Sequence, residues 1–482
     1  ASGGPGAAEL TGCSNYLSIS DGDGGTTWIT GTEAGVVNIP GSLTVAGSAV
    51  GGASALNGLT DVISNITDFA DSILISPDGA APPHGTLDTA SGNVGIGKDV
   101  FAALTSGDDN TGIGKNALKS LTTGGSNIAI GRDTIGLSGT SVSNNTVIGH
   151  SAGRYLDNAH YNVAIGSVAN ATANAGDYNV SIGYQSMYGL SSSADGNVGI
   201  GVYSLRSLSS GDYNIGIGGS AGYAITTGTR NIAIGKNALD AADTESDNIA
   251  IGEDALGGAV AGGEYNLAIG NYTLDALTSG DYNVALGYNA GTALTTGYKN
   301  VAIGAESLIT AVEGNTNTAV GYYSLHDLTS GTGNTAFGYY AGDDVTTGTY
   351  NVSLGTFAGG GVTTGHRNIS IGDGTMQQGS VDGDNNIAVG YQAGFNLSDG
   401  NKNILLGTSA GDNITTGSNN VIIGNVDAPS ATGTDQLVIA AGNGGVTWLT
   451  GTSAGVVNIP GSLTVAGSAV GANTWRTVTA GG

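Results

Sequence analysis

NVALGYNAGTALTTGYK, residues 283–299, is followed at once by NVAIG at 300–304, and the unit begins again. Asparagine, a short apolar run and glycine recur at Asn93, Asn110, Asn127, Asn145, Asn162, Asn179, Asn197, Asn214, Asn231, Asn248, Asn266, Asn283, Asn300, Asn317, Asn334, Asn351, Asn368, Asn386, Asn403 and Asn420. The spacing is 17, with an occasional 18. A fixed period of this size is the mark of stacked coils. It is too short for helical repeats, which need about 33 residues or more. The expected fold is all-β: a parallel β-solenoid or β-roll of about 20 coils. A stacked rod is a structural or adhesive part far more often than an enzyme.

Within one unit, the strand periodicity of two sets Val284 and Leu286 on one face and Ala285 on the other. The reading places the bulky face, Ile234 included, inside the coil. It leaves the small Ala/Gly/Ser face for close approach to another chain. Gly287 ends the strand at a corner. A second short strand is expected around Leu294 and its equivalents Leu104, Leu121, Ile225, Leu277, Val345 and Ile414. The recurring Asn reads as a stacked amide ladder. A two-strand coil encloses one or two aliphatic residues per layer, so a lone ribbon is thin, and a homotrimeric bundle is the natural partner arrangement.

Residues 17–51 match residues 437–471 at an offset of 420, with 28 of 35 positions identical. The shared VVNIPGSLTVAGSAVG holds alternating Leu43, Val45 and Leu463, Val465, which read as strands, and Pro40-Gly41 and Pro460-Gly461, which read as turns. The module is either a pair of end caps or a sample of a longer fibre in which caps and arrays alternate. The organisation expected is a lead-in at 1–16, a cap at 17–51, a linker at 52–92 with part of it helical or coiled, the repeat solenoid at 93–436, the second cap at 437–471 and a tail at 472–482. Ala80-Ala81-Pro82-Pro83-His84 marks entry to the array.

The 482 residues carry 88 glycines, 10% charged residues and a formal net charge of -26. The regular Ile, Val and Leu oppose the disorder that high glycine suggests. The acidic balance excludes nucleic acid as a natural partner. No stretch approaches 18 apolar residues, so no membrane insertion is expected, and no secretion signal is visible. One cysteine, Cys13, allows no intrachain disulfide.

Most patterns that hint at chemistry fail on spacing. GIGK at 112–115 lacks the phosphate-loop spacing. His84, His150, His160, His326 and His366 show no metal-ligand spacing. Asp21-Gly22-Asp23 and Asp382-Gly383-Asp384 read as turns, with a structural divalent cation as the functional alternative. Asp108, Asp177, Asp212 and Asp281 share one turn in different repeats, which argues for a structural slot over a catalytic pair. No catalytic residue and no cofactor is expected. The residue before the repeat Asn is Tyr161, Tyr178, Tyr213, Tyr265, Tyr282 or Tyr350 in six units. These tyrosines are candidate glycan contacts, the alternative being that they pack on neighbouring coils.

NIAIG at 127–131, 231–235 and 248–252 resembles the head repeat of trimeric autotransporter adhesins, left-handed parallel β-rolls of three chains. ALTSGDYNVALGY at 276–288 and SLTVAG at 42–47 and 462–467 resemble bacteriophage tail-fibre proteins more closely, over residues 40–482. That resemblance implies a homotrimeric virion fibre for host attachment, with other virion proteins and a host-surface glycan or receptor as partners. The alternatives are a bacterial surface adhesin or extracellular filament, and a glycan- or ice-binding solenoid whose face would be the Thr-Thr-Gly turns at 226–228, 295–297, 346–348, 363–365 and 415–417.

Overall fold

The computed structural model describes residues 89–136, 141–172, 176–190, 194–258, 263–441 and 446–460, and outside them the backbone of nine strands between Ser18 and Ile75 and between Leu463 and Val470. Residues 1–16, Cys13, His84, the Asp21-Gly22-Asp23 turn and the tail lie outside the described residues. The chain forms two compact units, residues 1–164 and 165–482. The repeats fall in both, and the fold is an all-β parallel solenoid with a period of about 17 residues.

In the first unit, Val94–Ile96, Thr111–Ile113, Ile128–Ile130 and Thr146–Ile148 pair in parallel and in register. Residues 62–75, read as linker with helix or coil, instead form a hairpin of Val62–Ile66 against Phe69–Ile75. Its second strand pairs in parallel with Val94–Ile96. The alternation of Val62, Ser64 and Ile66 suits a strand, and the hairpin supplies hydrogen bonds that the first coil would otherwise lack. In the second unit the same parallel register runs from Val180–Ile182 through Val421–Ile423 to Leu437–Ala440. There the sheet turns antiparallel, through Thr447–Gly451 to Val457–Asn458. The N-terminal copy repeats that meander, Ser18–Ser20 to Thr27–Gly31 to Val37–Asn38. Both copies also carry the following hairpin, Leu43–Val45/Ser48–Val50 and Leu463–Val465/Ser468–Val470.

Each coil holds one three-residue strand and a return made of turns. The second strand expected around Leu294 is absent. Leu294, Leu121 and Ile225 are nonetheless buried, as core side chains hung on turns. The reason is dihedral. Counting the repeat Asn as position 1, positions 7, 9 and 17 are left-handed in coil after coil. In the coil from Asn231 they are Asn237 (φ 55°), Leu239 (φ 50°) and Asp247 (φ 62°). Left-handed residues cannot extend a strand.

The inner face is the reverse of the one expected. Ala233 and Ala250 are fully buried, while Ile232, Ile234, Val284 and Leu286 are part-exposed and Ile128 is 41% exposed. The lumen of so short a coil admits a small residue at position 3, because positions 9 and 12 already fill it. The volumes trade between positions. Where position 3 is Gly95, a Cβ there would meet Phe101 Cε2 at 2.9 Å. Where position 3 is the larger Leu405, position 9 of the preceding coil and of its own are Gly394 and Gly411, whose Cβ sites lie 2.8 and 2.9 Å from the Leu405 methyls. The larger side chain at position 3 thus occupies space that glycine leaves at position 9. Position 5 is fixed for another reason. Gly287 has φ 134°, and its Cβ would stand 2.7 Å from the carbonyl carbon of Gly304 in the next coil.

Hydrogen bonds run between coils. Ile232 N–H donates to Asn248 O at 2.8 Å, and Gly235 N–H to Ile217 O at 2.9 Å. Leu239 N–H donates to Ala255 O, and Arg230 N–H to Asp212 O. Each strand thus bonds to both neighbours, as parallel ladders require.

Ala233→Leu is expected to destabilise the second unit by about 1–3 kcal/mol through overpacking against Leu239. Ala233→Leu combined with Leu239→Gly should recover most of that loss in a chemical-denaturation comparison. Equal stability of the single variant and the parent would show that position 3 does not face the core.

Candidate functional site

The Asn column is the most regular feature. Asn300 Nδ2 donates to Asn283 Oδ1 at 3.1 Å and to Gly314 O at 2.7 Å. Its own Oδ1 accepts from the backbone N–H of Asn317 at 2.9 Å and from Asn317 Nδ2 at 3.3 Å. Asn110, Asn127 and Asn145 in the first unit repeat the pattern. So do Asn214, Asn231, Asn283, Asn334, Asn386 and Asn403 in the second. The column is buried throughout, including Asn93, Asn162, Asn179, Asn197, Asn248, Asn266, Asn351, Asn368 and Asn420. An amide supplies one acceptor and two donors in the geometry each layer demands.

The six tyrosines before the Asn stand at an exposed, left-handed corner: Tyr161, Tyr178, Tyr213, Tyr265, Tyr282 and Tyr350. Two of the rings stack from one coil to the next. Tyr265 and Tyr282 are parallel within 3° at 5.0 Å. Tyr213 covers the space above Gly196, and Tyr350 the space above Gly333. Arg367 lies over the other side of this corner, 5.7 Å from the Tyr350 ring. The same column holds a bidentate pair, Arg230 to Asp247 at 2.6 and 2.8 Å. The hydrogen bonds from Arg230 hold the Asp247 carboxyl below its usual range. Between stacked neighbours the ring faces are occupied, which leaves edges and hydroxyls for any sugar.

The first hydroxyl of each Thr-Thr-Gly turn is also engaged. Thr295 Oγ1 donates to Val312 O at 2.8 Å, and Thr346 Oγ1 to Thr363 O at 3.3 Å. Asp382 accepts from Thr363 and Thr364, and those bonds hold its carboxyl low. Asp384 accepts from His366 N–H. Both carboxylates of this turn therefore serve the coil. His160 and His366 accept backbone N–H groups at 3.1 and 3.0 Å. Among the described residues no group of three or more His, Cys, Asp or Glu could hold a metal ion.

Position-by-position reading missed the return corner at positions 6, 7 and 10. In the second unit Tyr322, Tyr323, Tyr339, Tyr340, Phe357 and His326 form one aromatic cluster. Tyr323 and Tyr340 stack at 4.8 Å, and His326 on Tyr323 at 4.4 Å. The signal was present as Tyr-Tyr pairs at 322–323 and 339–340, one period apart. Asp327 Oδ1 lies 2.6 Å from His326 Nδ1, and Asp343 and Asp344 follow one period on. Burial pushes Asp343 up to about 7, with Asp344 and Asp327 adding like-charge repulsion. Burial and then its hydrogen bond with Asp427 push Asp412 up to about 6.

No protein-family model matches the chain, and comparison with curated proteins and with solved structures finds no match either.

Asn300→Ala leaves Asn317 N–H and Gly314 O without their amide partners, which should cost on the order of 2–5 kcal/mol. Hydrogen exchange is expected to quicken first at the amide of Asn317, and an unchanged rate there would contradict the ladder. The raised carboxyls give a second expectation. A carboxyl whose folded pKa is raised stabilises the fold below its unfolded pKa, near 4, and that contribution is lost as pH rises through the folded value. The thermal midpoint should therefore rise as pH falls from 8 to 5. Asp343→Asn should flatten the part of that rise that begins as pH falls below about 7, whereas an identical slope in parent and variant would refute the assignment.

Proposed function

We propose that the chain is a structural fibre protein of a phage virion, a tail or side fibre, that associates with two copies of itself and serves host-surface attachment. The observation that carries this reading is the outward apolar face. In the second unit, positions 2 and 4 form an in-register file with Ile217, Ile269, Ile303, Leu354 and Ile404 more than a third exposed and Phe337 at 59%. Files of this length are interaction surfaces in soluble proteins. Parallel, identical files suit a closed rotational assembly, in which each chain contributes the same edge. The Ala/Gly/Ser face, expected from the sequence to make the contact between chains, is internal, so the apolar file takes that place.

Stiffness is the mechanism. The Asn ladder and the inter-coil backbone bonds leave a coil no low-energy way to open. Catalysis has no part in this reading, because the polar groups on the repeat serve the coil itself. A bacterial surface adhesin shares the same physics, and the exposed tyrosine corner is the feature that favours it.

Light scattering on a size-exclusion column is expected to give a mass near three chains. Ile232→Asp with Ile234→Asp should lower it to one chain while far-ultraviolet circular dichroism stays unchanged. A monomeric parent, or a variant that remains associated, would overturn the apolar face as the joint.

A further inference from the structure

The duplicated module receives a coil in its C-terminal copy. Leu437–Ala440 pairs in parallel with the last coil strand, Val421–Ile423, and antiparallel with Thr447–Gly451 on its other side. Val421 N–H donates to Gln436 O at 2.8 Å, and Asn420 Oδ1 accepts from Gln436 N–H at 2.9 Å. The alternation of the ladder then turns both the N–H and the C=O of Val438 toward the coil. The first strand of the module thus stands where the next coil would, on an edge that would otherwise lie open.

The N-terminal copy has the same backbone pairing. Ser18 faces Thr30, Ile19 faces Ile29 and Ser20 faces Thr27. At an offset of 420, Val438 faces Thr450, Ile439 faces Leu449 and Ala440 faces Thr447. The ladder is irregular at the same step in both copies, between Ile19 and Ser20 and between Ile439 and Ala440. Yet Ser18–Ser20 is the outer strand of a three-stranded sheet, and among the described residues no strand lies on its far side. As the counterpart of Val438, Ser18 turns its N–H and C=O to that free edge. The sequence there has the pattern of a coil. Leu17-Ser18-Ile19 is bulky, small, bulky, as are positions 2–4 in Val180-Ser181-Ile182 and Ile369-Ser370-Ile371. The middle serines of those two coils, Ser181 and Ser370, are buried in the lumen.

We propose that Ser18–Ser20 is a docking edge for the last coil of another array of this 17-residue kind, paired in parallel as Val421–Ile423 pairs with Leu437–Ala440. Main-chain hydrogen bonds supply the attraction, and the bulky-small-bulky strand after a ladder Asn is what the edge selects. The module then joins arrays end to end. This inference does not rest on the fibre reading: it concerns one edge of one module, and its test compares each variant with the mass of the parent, whatever that mass is.

The last coil of the full chain is already covered, so the test uncovers it. Val438→Pro with Ala440→Pro removes the N–H groups that the ladder turns toward Val421 and Ile423. Light scattering on a size-exclusion column is then expected to show species at two and more times the parent mass. Adding Ser18→Pro should return the mass to that of the parent. Proline is tolerated at that place, because the N–H it removes faces no strand of its own sheet. A chain ending at Gln436 carries the same open coil with no meander over it and should behave alike. Multimers of either variant that Ser18→Pro abolishes carry the proposal. Parent mass in both the proline variant and the shortened chain overturns it. So do multimers that survive Ser18→Pro, which would be open coils joining one another.

Discussion

The structure depends on one constraint: a 17-residue coil cannot satisfy its own backbone. Its strand is three residues long, too short to pair within the coil, so each N–H and C=O of the strand looks to the coils on either side. A buried amide left unpaired is costly. The Asn column resolves the place where this demand is greatest. At Asn283, the side chain accepts from the backbone of Asn300 and donates to the carbonyl of Gly297, so it closes the turn on one side and joins the layers on the other. No other side chain of that length offers an acceptor and two donors.

The same constraint accounts for the backbone strain. Left-handed non-glycine residues recur in every coil, as at Asn289, Lys299 and their equivalents, and each costs roughly 1–2 kcal/mol in isolation. Such a conformation persists where the surroundings over-determine it. Stacking provides that over-determination, since the left-handed N–H groups of the column, Lys299 to Asp281 O for example, are fixed by the preceding coil. The repeat is thus unstable singly and stable in file, which is why a hairpin at Phe69–Ile75 and a meander from Leu437 to Asn458 stand at the margins of the coils in their respective units.

The period, the all-β class and the duplicated module were legible, because each is a matter of spacing along the sequence. The inner face was not. Alternation separates Ile232 and Ile234 from Ala233 without saying which side is inward, and the habit of placing bulk inside chose wrongly. The deciding quantity is the lumen, set by Leu239 at position 9 and the residue at position 12, neither of which alternation sees. The pairing of Leu405 with Gly394 and Gly411 carries that information in the sequence: a large residue at position 3 goes with glycine at position 9. The corner cluster from Tyr322 to Phe357 was missed for a related reason: its members are 17 apart and adjacent only once the coils are stacked.

A repeat of this kind turns each position into a column, and the columns read as chemistry. Just before the repeat Asn, Arg230 meets Asp247, Tyr265 meets Tyr282, and Tyr350 meets Arg367, so neighbours are matched in pairs. Matched pairs commit their facing surfaces to the fold and leave only edges and hydroxyls for a partner. Function in such a chain is therefore to be sought where a column breaks its match. At position 11 Asp344 follows Asp327, like charge after like charge, with Asp343 beside them, so this column breaks its match. The desolvation that pushes Asp343 upward, with repulsion from Asp344 and Asp327 added, is the energetic trace of that mismatch.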